Sequence, residues 1–325
     1  MPSELLKLVE LIHKEKDIDP EVLFQGIESA IQSAAKKKYR DSYDKEHSDI
    51  HVSLDRKTGD ISFTDQNGNR FTPSDLGRIA AQAGKQAILQ KIREAERDVL
   101  YTEFIRKKHT IITGRVDHFE NRAVILDLGK AEGVIPLSEQ IPSENYTVNS
   151  QIKAYLLDVK RDRSGSPMKI ILSRSNPDFI RKLFELRVPE IEDGIIEINQ
   201  LVREPGYRTK IAVSSQDPKV DCVGACVGHK GERILNIIAE ASGEKIDIIR
   251  WDNDAVTLIQ NALKPATVSS ITLDHEQKKA TVMVNEGQQS LAIGKDGQNV
   301  RLAMKLSQWD IDIIAIPTPS DMINQ

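Results

Sequence analysis

The sequence predicts a multidomain α+β protein, and three observations carry that prediction. An apolar-Gly-x-x-Gly-x-x-apolar pattern runs from Val227 through Gly228, His229, Lys230, Gly231, Glu232 and Arg233 to Ile234. It returns 66 positions later from Ile293 through Gly294, Lys295, Asp296, Gly297, Gln298 and Asn299 to Val300. Each copy precedes a helix-length stretch and then an almost identical strand, Lys245-Ile246-Asp247-Ile248-Ile249 and Asp310-Ile311-Asp312-Ile313-Ile314, so a whole folding unit is duplicated. Upstream, residues 109–173 carry short alternating runs punctuated by glycine, and residues 3–40 carry helical periodicity. At 325 residues the chain exceeds the usual size of one domain, so each texture can have its own core.

In residues 3–40, Leu5, Leu8, Val9 and Ile12, then Val22, Leu23, Ile27, Ala30, Ile31 and Ala34, recur at helical intervals. Asp19 before Pro20 supplies an N-cap and first-turn pair that separates two helices. Alternation in His51-Val52-Ser53-Leu54 and Ile61-Ser62-Phe63-Thr64 around Lys57-Thr58-Gly59 predicts a hairpin, with a polar turn after it at Asn67-Gly68-Asn69. Thr72-Pro73-Ser74-Asp75 has a capping-box arrangement and opens a helix reaching to residue 107, striped by Ile79, Ala83, Ala87, Ile88, Ile92, Ala95, Val99 and Phe104. The basic runs Lys36-Lys37-Lys38-Tyr39-Arg40 and Arg106-Lys107-Lys108 fall at helix C-termini, where the dipole favours cations. With no glycine loop, metal cluster or aromatic platform, this region reads as a protein-binding module.

Five strand-like runs follow, at 110–116, 123–128, 133–136, 152–159 and 169–172, with Gly114, Gly129 and Gly133 where a barrel must bend. They suit a small Greek-key barrel of the OB type. Phe119 and Arg122 near its first hairpin, and Lys153, Tyr155, Lys160, Arg161, Arg163, Lys169 and Arg174 beyond it, form a candidate patch for single-stranded nucleic acid. The alternative is a charged edge strand with Tyr155 in the core. Past Asn176-Pro177, a helix over 178–186 ends before Pro189. Each duplicated unit then reads strand, strand, Gly-x-x-Gly turn, helix, strand, with hairpins at 195–202 and 210–213 and at 268–273 and 280–284. The connection holds Trp251 and a helix over 255–263, so the two units are expected in fixed relation.

The turns carry the chemistry. Glycines remove the Cβ atoms that would hold a phosphate-sugar backbone away, and they allow positive φ at no steric cost. A helix N-terminus adds unpaired N–H groups and partial positive charge, and Lys230 and Lys295 add a point charge at the same place. The apolar flanks Val227 with Ile234 and Ile293 with Val300 leave a groove for bases, which is the KH mode of holding about four nucleotides of single strand. Asp296 cancels charge beside Lys295, with capping of the next helix as its alternative role. Arg301 restores positive potential or lies on the solvated face, and Arg233 takes the matching place less closely in the first copy.

Lys plus Arg total 45 against 49 Asp plus Glu, so attraction for phosphate must be local. Metal ligation by Cys222 and Cys226 would need two more ligands, and only His229 is near, so buried thiols are expected, with no metal and no cofactor. No leader and no 18-residue apolar run occurs, which predicts a soluble cytoplasmic protein. The P-loop ending, the Gly-x-Ser-x-Gly elbow and His-Glu-x-x-His are all missing, so no enzyme is expected.

Specific strings add to this reading: Asn176-Pro177 with Leu183-Phe184-Glu185-Leu186 and Val188-Pro189-Glu190-Ile191, Arg203-Glu204-Pro205-Gly206, Lys210-Ile211-Ala212-Val213, Val223-Gly224-Ala225-Cys226-Val227-Gly228, Gly243-Glu244-Lys245-Ile246-Asp247-Ile248 and Gly297-Gln298-Asn299-Val300-Arg301-Leu302-Ala303. Over nearly its whole length the chain resembles the NusA family of bacterial transcription elongation, termination and antitermination factors. The resemblance implies an RNA polymerase-binding N-terminal α+β domain over 1–107, an S1-type OB-fold β-barrel over 108–175, and two tandem KH domains of type II α/β fold over 176–252 and 253–325. It implies RNA contact at both glycine loops and at Gln298, Asn299 and Arg301. Implied partners are the RNA polymerase core, nascent single-stranded RNA and other Nus-type antitermination factors, with the chain a monomer and no membrane involved. Leu137 stands where many members carry a basic residue, and Ser242 where a glycine is usual. The rival reading is a KH and S1 factor of RNA processing or the ribosome, or a nuclease subunit.

Overall fold

The Asp19 carboxylate accepts the backbone N–H of Glu21 at 2.9 Å, which fixes the start of helix α2 (Pro20–Arg40) after α1 (Glu4–Lys16). In this computed structural model, residues 4–16, 18–40, 50–64, 70–71, 76–161 and 168–317 are described. Strands β1 (His51–Leu54) and β2 (Ile61–Thr64) form the expected antiparallel hairpin. Its turn is held by Asp55, whose carboxylate accepts the N–H groups of Lys57 at 2.7 Å and Thr58 at 2.9 Å. A short strand β3 (Arg70–Phe71), absent from the sequence reading, pairs with β2, and α3 (Leu76–Arg106) is the long helix. The polar turn at residues 67–69 and the capping box at 72–75 lie outside the described residues. Val9, Leu23, Ile27 and Ile31 pack with Ile50, Leu54 and Ile88 as the core of the first of two units, Met1–Glu103 and Phe104–Gln325.

The second unit opens with a closed barrel of β4 (Ile111–Glu120), β5 (Ala123–Asp127), β6 (Glu132–Ile135), β7 (Gln151–Lys160) and β8 (Lys169–Ser173), ordered β4-β5-β6-β8-β7 with β7 pairing back to β4. Only β6 and β8 run parallel. Val116, Leu126, Ile135, Ala154, Leu156 and Ile170 fill its interior. Asn176 caps α4 (Pro177–Arg187) by accepting the Asp178 N–H at 2.8 Å, and an unexpected turn, α5 (Pro189–Glu192), follows.

Each duplicated unit then repeats one plan. The first holds β9 (Ile196–Glu204), β10 (Arg208–Ser215), α6 (Cys222–Val227), α7 (Glu232–Glu240) and β11 (Lys245–Arg250). After α8 (Ala255–Ala262) the second holds β12 (Ser270–Asp274), β13 (Lys279–Asn285), α9 (Glu286–Ile293), α10 (Gln298–Ser307) and β14 (Asp310–Ile316). In both sheets the middle strand pairs antiparallel with the first and parallel with the last, so the helices form the crossover. One expectation is corrected: helices α6 and α9 precede the glycine turns, so each turn joins two helices rather than a strand to a helix.

Candidate nucleic-acid interface

Helices α7 and α10 begin with the same backbone shape. Gly228 lies at φ 79°, ψ 174° and Gly294 at 77°, 173°. Lys230 at 50°, 23° and Asp296 at 53°, 28° are left-handed, as are Gly231 at 79°, 12° and Gly297 at 73°, 12°. The first of these conformations is essentially open to glycine alone, and among side chains Asp and Asn tolerate the left-handed region best. Asp296 therefore sits where its backbone preference fits. It does not cap α10: the N-cap is Gly297, with no side-chain hydrogen bond.

Both loops are supported from within by the side chain five residues past the first glycine. Asn299 is fully buried, and its Nδ2 donates to the carbonyls of Leu263 at 3.0 Å and of Leu291 and Ala292 at 3.2 Å, the last two in the final turn of α9. Arg233 Nη1 donates at 2.7 Å to the carbonyl of Ala225, the matching residue of α6, and pairs with Glu190 at 2.9 Å. The two side chains also fill equivalent space: a Cβ on Gly294 would lie 2.8 Å from Asn299 Cβ, and one on Gly228 2.7 Å from Arg233 Cγ. Arg233 is thus the counterpart of Asn299, not of Arg301, whose own counterpart is the exposed Leu235.

The loop charges differ. His229, Lys230 and Lys295 are exposed, and among the described residues neither lysine has an ion-pair partner. Arg301 and Gln298, in the first turn of α10, reach into the other unit of the repeat instead. Arg301 Nε and Nη2 donate to the Glu204 carboxylate at 2.6 and 3.1 Å, and Gln298 Nε2 donates to it at 2.9 Å. Bonding to the Arg301 guanidinium holds the Glu204 carboxyl below the usual carboxylate range despite partial burial.

On the barrel, Phe119 is half-exposed at the end of β4, and Arg122 lies in the adjoining tight turn at φ 67°. The basic patch beyond Gln151 is not one surface. Lys153 pairs with Glu240 of α7 at 2.8 Å. Tyr155 is buried, with its hydroxyl 2.8 Å from His109 Nδ1. Arg174 is buried over the Phe179 ring, forks onto Glu144 with two bonds of 2.6 Å, and donates to the Glu240 carbonyl at 2.8 Å. Two of the seven patch residues, Lys153 and Arg174, therefore join the barrel to α7. Lys160 and Lys169 stay exposed as a cross-strand pair, and Arg163 lies outside the described residues. Ser242, at φ 58°, uses its hydroxyl to donate to Glu144 at 2.7 Å, which gives that left-handed position a tertiary contact.

Cys222 and Cys226 are buried free thiols, and burial pushes the Cys226 thiol up to about 12. No group of three or more potential metal ligands occurs among the described residues. No described helix is long and apolar enough to cross a membrane. Sequence reasoning missed Glu190, Glu204 and Leu235. The 66-residue register could have found Leu235 as the counterpart of Arg301; nothing in the sequence points to the two carboxylates.

Four family models match successive parts of the chain. The NusA N-terminal domain family matches residues 4–68 and 65–98, and the S1 RNA binding domain family matches 106–174. The NusA-like first KH domain family matches 174–251, and the NusA-like second KH domain family 255–320. The transcription termination/antitermination protein NusA of Halalkalibacterium halodurans is 42% identical over 339 residues, covering 96% of this chain and 88% of the relative. Its namesake in Bacillus subtilis is 40% identical over 344 residues, covering 96% and 91%, and that of Thermus thermophilus 46% identical over 242, covering 74% and 62%.

Proposed function

The chain belongs to the NusA family of transcription termination/antitermination proteins, and we propose that it docks on the RNA polymerase core through its N-terminal domain and grips nascent single-stranded RNA through its barrel and two KH loops. In this role it modulates pausing, intrinsic termination and antitermination together with other Nus-type factors, as a cytoplasmic monomer without chemistry of its own. The working partition is 1–107 for the polymerase, 108–175 for the barrel, and 176–252 and 253–325 for the two KH domains.

One observation carries the reading: two loops of matching backbone shape, each opening a helix and each bearing an exposed lysine with no ion-pair partner among the described residues. A phosphate meets the glycine backbone, the positive end of the helix dipole and the Lys230 or Lys295 ammonium together. Gly228, Gly231, Gly294 and Gly297 allow the close approach, and His229 and Lys230 or Lys295 supply donors. On this reading Arg233 and Asn299 serve the RNA by holding each loop in shape, while Phe119 and Arg122 offer a stacking and charge contact on the barrel. Each grip is weak alone; held in one array, later contacts form at high effective concentration once the first is made.

Changing His229 and Lys230 to Asp is expected to weaken binding of an unstructured RNA by roughly tenfold at moderate salt, and adding Lys295→Asp by about threefold more. Unchanged affinity in both variants at matched salt overturns the KH reading. Cross-linking the full chain to a stalled elongation complex tests the rest: the N-terminal domain should cross-link to polymerase, and the loops to RNA.

A further inference from the structure

The first turn of α10 holds a carboxylate where the second loop should meet a phosphate. Arg301 lies over that loop, with Nη1 donating to the carbonyl of Asp296 at 3.2 Å, and its other two nitrogens fork onto Glu204 at 2.6 and 3.1 Å. Gln298 completes the cradle at 2.9 Å. A guanidinium fork, an amide donor and a nearby helix N-terminus form a donor set suited to a phosphate as much as to a carboxylate. Glu204 comes from the end of β9 in the first KH unit, 97 positions away in sequence. Among the described residues the first loop has no such occupant: Leu235 replaces Arg301 and is exposed.

We propose that Glu204 stands in for an RNA phosphate at the second loop, and that RNA binding there exchanges the Glu204 carboxylate for a phosphate on Arg301. This rests on the reading of the second loop as an RNA grip. The exchange is easy in both directions, because Arg301 is half-exposed and exposed ion pairs are worth little. Its consequence is an order of engagement. The first loop, with its lysine unopposed, captures RNA, and the second engages when a tethered strand competes with Glu204.

The test is a cycle in the full chain, reading the affinity of a short unstructured oligoribonucleotide by fluorescence anisotropy over a salt series. Glu204→Gln keeps the shape but loses the charge and one of the two acceptor oxygens, which releases the guanidinium, and is expected to tighten binding by roughly threefold. Arg301→Gln weakens binding and lowers the salt slope by about 0.7, the value of one single-strand phosphate contact. In the Arg301→Gln background, Glu204→Gln brings no gain. A Glu204→Gln chain that binds no tighter than wild type overturns the exchange, and so does a gain that persists undiminished without Arg301. Should Glu204→Gln disturb folding, the shorter neutral Glu204→Ser carries the same expectation. Lys295→Asp separates the two layers: weaker binding with no Glu204→Gln gain sinks the exchange alone, whereas no effect of Lys295→Asp sinks the second-loop reading beneath it.

Discussion

The two glycine loops share a backbone to within a few degrees, yet nearly every side chain around them differs. Loop one carries His229 and Lys230, is supported by Arg233 through Glu190, and borders an exposed Leu235. Loop two carries Lys295 and Asp296, is supported by the buried Asn299, and borders Arg301 tied to Glu204. The difference shows where the constraint lies. Two glycines and one left-handed residue are needed to turn a helix end into an exposed N-terminus, whereas the carbonyls beneath can be met by an amide or a guanidinium. Duplication preserved the shape and let charge and support drift apart, leaving one loop open and the other restrained.

The sharpest way to break the comparison is to add a methyl group to each leading glycine. In Gly294→Ala the new Cβ would lie 2.8 Å from the Asn299 backbone nitrogen, and the φ of 77° is itself forbidding. The cost should be about 3 kcal/mol or more, since strain and a backbone clash add. Gly228→Ala has the same strain, but its nearest contacts are side-chain atoms of Arg233, of which Cγ at 2.7 Å and Cδ at 3.0 Å can shift and only Cβ at 3.0 Å cannot, so about 2 kcal/mol is expected. Urea unfolding followed by fluorescence reports on this unit, because both tryptophans, Trp251 and Trp309, lie in it. Equal costs would mean that the two supports are equally rigid.

The supports themselves give the next effect. Asn299→Ala leaves the Leu263, Leu291 and Ala292 carbonyls without that donor, the first and last of them at buried bonds, at a cost of about 2 kcal/mol. Arg233→Ala removes a bond to Ala225 at a site where the guanidinium is a third exposed, so water can substitute and about 1 kcal/mol is expected. A larger loss for Arg233→Ala would show that its stacking beneath Gly228, not its hydrogen bond, holds loop one.

Elements marked by local signals formed where they were expected. Asp19 before Pro20, the turn at Lys57-Thr58-Gly59, Asn176 before Pro177 and the alternating runs of the barrel all specify structure within a few residues, and each expected element formed. Helix α6 escaped notice because six residues, including Gly224, are too few to display a 3.6-residue period. Hidden for a different reason were Arg174 on Glu144, Arg233 on Glu190 and Arg301 on Glu204, which bring together residues 30 to 97 positions apart. A basic residue reads the same in sequence whether it faces solvent or a buried carboxylate, so the patch beyond Gln151 looked like one surface when two of its members, Lys153 and Arg174, are mortar between the barrel and α7.

The smallest predicted effect asks whether the two loops rest on equally tight floors. Cys226, under loop one, and Ala292, under loop two, occupy matching places, and both are fully buried. Since alanine already serves at one of them, Cys226→Ala should cost only about 1 kcal/mol, the loss of one sulfur's packing. Burial raises the thiol to about 12, so at pH 8 only about one molecule in ten thousand holds the thiolate that reacts. Cys222, buried one turn earlier with its Sγ 3.6 Å from the Val213 carbonyl, shares the protection from access. Both cysteines should therefore resist a thiol-alkylating reagent in the native protein and label together on unfolding, as peptide mass spectrometry would show. Fast native labelling of Cys226 alone would mean that α6 opens beneath loop one. The loop with the freer charge would then also be the looser one, and its advantage in capturing RNA would be offset by the cost of ordering it.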